Sequence, residues 1–97
     1  MRRADALRTL GLHAAELHER FEVERLSIFG SVARDEARDS SDVDLLVNFA
    51  RPVTLFTFIR LRAQLAAWLE APVDLAEEEA LHARHRDRIL REAIRAA

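Results

Sequence analysis

The amino-acid sequence predicts an α/β (α+β) protein, a small sheet of three or so strands covered by helices. Two observations carry this. Stretches with apolar residues three and four apart alternate with short apolar or β-branched runs stopped by Gly, Pro or polar clusters, in the order αβαβαβα. The 97 residues contain no linker, repeat or low-complexity segment, so a single domain over 1–97 with one modest core is expected.

Leu7, Leu10, Ala14, Leu17 and Phe21 place one amphipathic helix over Ala4 to Phe21, with Gly11 as its weak point. Arg25 to Phe29 reads as a strand stopped by Gly30, Ser31 to Ala37 as a short helix, and Arg38 to Ser41 as a polar loop. Val43 to Phe49 is a second strand. Thr54 is placed to cap a long helix over Leu55 to Glu70, whose Leu55, Phe58, Ile59, Leu65, Trp68 and Leu69 form an apolar stripe. Phe49, Phe56 and Phe58 are expected in the core. Residues 71–76, APVDLA, make a third strand with Pro72 where a missing N–H is tolerated, and a last helix runs through Ile89, Leu90, Ala93 and Ile94.

Composition excludes several classes. With no cysteine there is no disulfide scaffold, thiol nucleophile or Cys-based zinc site. No window is apolar for long enough to span a membrane or act as a signal peptide, so a soluble, cytoplasmic protein without a membrane partner is expected. A net charge of -2 gives no general attraction to nucleic acid, and no direct nucleic-acid partner is expected.

The chemistry concentrates in FGSVARDEARDSSDVDLLVNF, residues 29–49. Asp is disfavoured in strands, yet Asp42 and Asp44 flank Val43 at the start of one. Residues i and i+2 of a strand share a face, so the two carboxylates aim at one volume, and their repulsion calls for a proton or a divalent cation. Magnesium takes one or two carboxylates plus substrate phosphates. By themselves the pair also fits two loop acids capping a turn. Gly30 and Ser31, where strand gives way to helix, offer backbone N–H groups and a hydroxyl to a phosphate, and Arg34 lies on the same helical face. Taken alone, they also fit an ordinary turn with a solvated arginine. Asp74 is a third carboxylate, alone between Val73 and Leu75, and reaches the same volume if its strand lies beside Val43 to Phe49. His82 and His85 have helical spacing but no third ligand, and are set aside as a metal site.

Gly30-Ser31, ten intervening residues, then Asp42-Val43-Asp44 resembles the signature of the DNA polymerase beta-like nucleotidyltransferase superfamily. In length, element order and motif the chain is most similar to minimal nucleotidyltransferase (MNT) domains, with SDVDLLVNF, VDL and RILREAI included. The resemblance implies a small mixed sheet flanked by helices. It implies that Asp42, Asp44 and Asp74 hold two magnesium ions and form the catalytic set, Asp74 helping to activate the acceptor hydroxyl. It also implies that Gly30, Ser31 and Arg34 cradle the phosphates of ATP or another NTP. One departure stands out: MNT relatives often carry Gly where this chain has Asp35, a negative charge near the phosphate pocket if it points inward.

The resemblance further implies an antitoxin partnered, as a hetero-oligomer, with a helical HEPN-domain toxin, AMP passing from ATP to a toxin tyrosine. An antitoxin that neutralises by contact alone, and a nucleotidyltransferase for a small-molecule acceptor, remain open. Arg84, Arg86, Arg88, Arg91 and Arg95, with Asp87 and Glu92 among them, fit either a docking helix or a solvated one. Arg8 and His13 match the loose Arg-x4-His pattern of HEPN ribonucleases, a coincidence given the strand content.

Overall fold

A computed structural model describes all residues, Met1 to Ala97. The elements run α1 (Arg3–Leu12), α2 (Ala14–Phe21), β1 (Val23–Phe29), α3 (Gly30–Ala33), β2 (Val43–Phe49), α4 (Leu55–Leu69), β3 (Val73–Glu77), a 3-10 turn (Glu78–Ala80), α5 (Ala83–Glu92) and β4 (Ile94–Arg95). The sheet is mixed, in the order β3-β2-β1-β4. β1 pairs antiparallel with β2 and with β4, while β2 and β3 are parallel neighbours joined through α4. A crossover helix is what a parallel pair requires.

One face of the sheet builds the core. Ala6, Leu10, Leu17, Phe21, Leu61, Leu65 and Leu69 of the helices pack with Leu26, Ile28, Val43, Leu45, Val47, Val73 and Leu75 of the strands. Because strand side chains alternate, burying Val43, Leu45, Val73 and Leu75 turns Asp44 and Asp74 to the opposite face. Packing of the core therefore aims the acids.

Four expectations are corrected. The first helix is two, broken at His13 (φ -104°, ψ 13°) and not at Gly11; the His13 ring stacks on Trp68 of α4 with centroids 3.8 Å apart, so a tertiary contact sets the break. The short helix after Gly30 starts there and ends at Ala33, four residues early. The last helix ends at Glu92: Ile94 and Arg95 pair with Ile28 and Ser27 of β1, and Leu26 N–H donates to Ala97 O at 2.9 Å. A fourth strand thus covers the free edge of β1. Finally, the stripe on α4 is rotated. Leu61, Leu65 and Leu69 are buried, whereas Leu55 is 72%, Phe56 81% and Ile59 54% exposed, so Phe56 is no core residue. Phe49 and Phe58 do pack against the core. Thr54 caps α4 as expected, its hydroxyl accepting from Thr57 N–H at 3.3 Å.

Candidate active site

The site lies where β1 ends beside β2. Phe29 is the ladder partner of Asp44, so the next residue, Gly30, comes directly against the Asp44 side chain. A Cβ at Gly30 would sit 2.1 Å from Asp44 Oδ2 and 3.0 Å from its Cγ, and Gly30 has φ +70°. Glycine meets both the close approach and the left-handed backbone. On the other side Asp44 is in register with Asp74, which the parallel ladder sets beside it on the same face. Neighbouring strands are about 4.8 Å apart, so two residues thirty positions apart in sequence become adjacent carboxylates.

Asp42 precedes β2 by one residue and is exposed. It lines a cleft of about 430 Å³ with Ile59 and Arg62 of α4 and with Pro72 and Val73. Asp44 is half-buried, and its carboxyl is pushed above its ordinary value by that burial first, then by the charges of Asp74, Asp42 and Glu92, with Arg34 opposing. The charges of Asp42 and Asp74 both reach Asp44. No three His, Asp or Glu side chains lie close enough together to hold a metal ion unaided. Asp44 and Asp74 are hard oxygen donors under mutual repulsion, a donor set that fits magnesium sharing its shell with phosphates.

Two of the groups expected to meet phosphate, Gly30 N–H and Arg34, both bond Glu92, a residue that sequence reasoning missed. Gly30 N–H donates to Glu92 Oε1 at 2.5 Å, and Arg34 Nη1 donates to the same oxygen at 2.8 Å. Arg34 Nε also reaches Glu36 at 3.3 Å. Ser31 is half-buried at the mouth, and its carbonyl accepts from Glu36 N–H at 2.8 Å. Glu92 is the last residue of α5. In sequence it reads as one more charge on a solvated helix, and only the turn into β4, too short to show a pattern, carries it to Gly30.

Asp35 points away from this group. Its carboxylate accepts from Arg3 N–H at the start of α1, at 2.9 Å. Asp35 N–H bonds Val32 O and Glu36 N–H bonds Ser31 O, so α3 ends in a Schellman motif with Asp35 at its left-handed position, φ 60°. Glycine is the usual residue there; here Asp keeps the turn and adds a cap. His82 accepts from Arg84 N–H at 3.1 Å and caps α5.

A carboxylate pair on the open face of a mixed sheet, a glycine turn pressed against it and an arginine beside the turn offer groups of the kind that a polyphosphate with bound cations requires. Residues 11–96 match the Nucleotidyltransferase domain family, and the chain belongs to it. The protein adenylyltransferase MntA of Thermococcus cleftensis is 41% identical over 85 residues, covering 88% of this chain and 86% of that protein. A solved structure assigned as a minimal nucleotidyltransferase superposes with TM-score 0.81 at 41% identity, covering 97% of this chain and 95% of that chain. The fold is also that of a chain in the complex of a tri-AMPylated Shewanella oneidensis HEPN toxin with an MNT antitoxin, TM-score 0.66 at 16% identity, covering 94% of this chain and 71% of that one.

Proposed function

We propose that residues 1–97 form one magnesium-dependent nucleotidyltransferase domain that transfers AMP from ATP to a hydroxyl of a partner protein, a tyrosine of a HEPN-type toxin, and so acts as its antitoxin. The observation that carries the reading is the register match of Asp44 with Asp74 beside Gly30. The identity to an adenylyltransferase over most of both chains supports AMP as the group transferred, and the fold shared with a toxin–antitoxin complex supports the partner.

In this reading Asp42, Asp44 and Asp74, together with the phosphates of the nucleotide, would hold the magnesium ions, which would supply charge neutralisation at the phosphates. Gly30 N–H, Ser31 and Arg34 bind the β- and γ-phosphates. Asp74, exposed at the edge strand, takes the proton of the acceptor hydroxyl. The hydroxyl oxygen bonds to the α-phosphorus, the bond to the bridging oxygen breaks, and pyrophosphate departs with that electron pair. Labelled ATP, magnesium and the product of the neighbouring gene should together give labelled partner. Undiminished labelling by the double variant Asp42→Asn, Asp44→Asn would refute the assigned roles.

A contact-only antitoxin draws on a separate observation, the exposed Leu55, Phe56 and Ile59 on α4. Full neutralisation by the same double variant would select it.

A further inference from the structure

We propose that Glu92 is a built-in occupant of the anion seat, which a polyphosphate must displace before the site can work. One carboxylate oxygen, Oε1, accepts from both Gly30 N–H and Arg34 Nη1, the donors that would otherwise meet phosphate. The Glu92 side chain is 20% exposed and its bond to Gly30 N–H is part-buried, while Arg34 remains 48% exposed. Glu92 adds to the negative charge acting on Asp44, and its salt bridge to Arg34 offsets that repulsion. It is held by directed hydrogen bonds and by the chain that follows. Ala93 is the C-cap of α5, and the pairing of Ile94 with Ile28 anchors the backbone beside the seat.

Two consequences follow for ligands. An anion enters by exchanging one set of charge-assisted hydrogen bonds for another, so the seat is satisfied at rest and its apparent affinity is lowered by the fraction of time Glu92 fills it. A single carboxylate or monoester offers little advantage over Glu92, whereas a di- or triphosphate brings more charge and more acceptor oxygens. The residue therefore sets a threshold: it lowers the affinity of every anion that uses the seat by one factor, so that only an intrinsically tight ligand such as a polyphosphate fills it. The identity of the natural ligand rests on the nucleotidyltransferase reading; the competition itself does not.

The test uses inorganic tripolyphosphate with magnesium as probe, followed through the Gly30 amide resonance in the wild type, Glu92→Gln and Glu92→Ala. The resonance should move in both variants before any ligand is added. Tripolyphosphate should then bind about tenfold more tightly to Glu92→Ala, if Glu92 fills the seat about nine-tenths of the time, and by an intermediate factor to Glu92→Gln. Inorganic phosphate should gain by the same factor in each variant, leaving the preference for tripolyphosphate unchanged. Equal or weaker tripolyphosphate binding in both variants overturns the proposal; if Glu92→Ala does not fold, Glu92→Gln decides alone. Titration with ATP separates the two readings. Tighter tripolyphosphate without ATP binding keeps the competition and sinks the nucleotide reading, while AMP transfer with unaltered tripolyphosphate affinity does the reverse.

Discussion

At Gly30 a methyl group would lie 2.1 Å from Asp44 Oδ2 on a backbone already at φ +70°. Gly30→Ala is therefore expected to cost about 1–3 kcal/mol, the usual cost of forcing a side chain into a sparsely populated backbone region, and to displace Asp44. Denaturant unfolding measures the first and magnesium affinity the second. Asp35 has the opposite character. Asp35→Ala keeps the left-handed strain and removes the bond to Arg3 N–H, so a loss of about 1 kcal/mol is expected with nucleotide affinity unaltered; Asp35→Gly loses the cap but relieves the turn and should be milder. Asp44 has its pKa raised on folding, so its ionisation opposes folding: the metal-free chain should lose stability as pH rises above the ordinary carboxylate value of 3.8. Asp44→Asn should flatten that decline, and magnesium should raise the melting temperature of the wild type but not of the variant.

At the scale of elements, the 3-10 turn after β3 ties three segments together through Glu78. Its carboxylate accepts from Asn48 and from Arg25 Nη2, at 3.0 Å for the latter, and Arg86 Nη1 donates to its carbonyl at 2.8 Å. The hydrogen bond from Asn48, then those from Arg25 and the nearby arginine charges, hold Glu78 below its ordinary value of 4.5 against the opposing effect of burial. A carboxyl whose pKa falls on folding adds stability above its unfolded value and loses it as pH drops through the folded one. Glu78→Gln is expected to cost about 1–3 kcal/mol at neutral pH, with the difference shrinking below pH 4.5. Urea unfolding of both proteins across that range checks it.

The order of helices and the first three strands was legible because each carries its own hydrophobic period. β4 was not, since two ladder residues make no pattern and the pairing partner lies more than sixty residues earlier. The face of α4 was misjudged at its first turn, where periodicity alone cannot tell Leu55 and Phe56 from core. Leu65→Ala should cost about 2–5 kcal/mol and Phe56→Ser stay within about 0.5 kcal/mol, measured by thermal unfolding.

Over the whole molecule, the acids and the Gly30 turn were legible because Asp is disfavoured in strands and stands out at Asp44 and Asp74. Their register was not. Nothing local to Asp42-Val43-Asp44 or to Val73-Asp74-Leu75 states that the two segments lie side by side, and that follows only from the crossover through α4. Glu92 stayed hidden for the same reason, as its meaning comes from a strand edge assembled by residues distant in sequence.

The parallel register of β2 and β3 ties the proposed site to foldability. Because strand side chains alternate, moving β3 by one position would swing Asp74 into the core and bring Val73 and Leu75 out beside Asp44. A one-residue deletion at Ala71 would thus face two penalties for a single error, a buried charge and a lost carboxylate. A change of two positions would restore the alternation, yet still misalign Asp74 from Asp44. Indels here are filtered by folding before activity is ever tested, so in descendants of this chain the spacing from Asp44 to Asp74 should drift in α4 loops only where the ladder is kept in step.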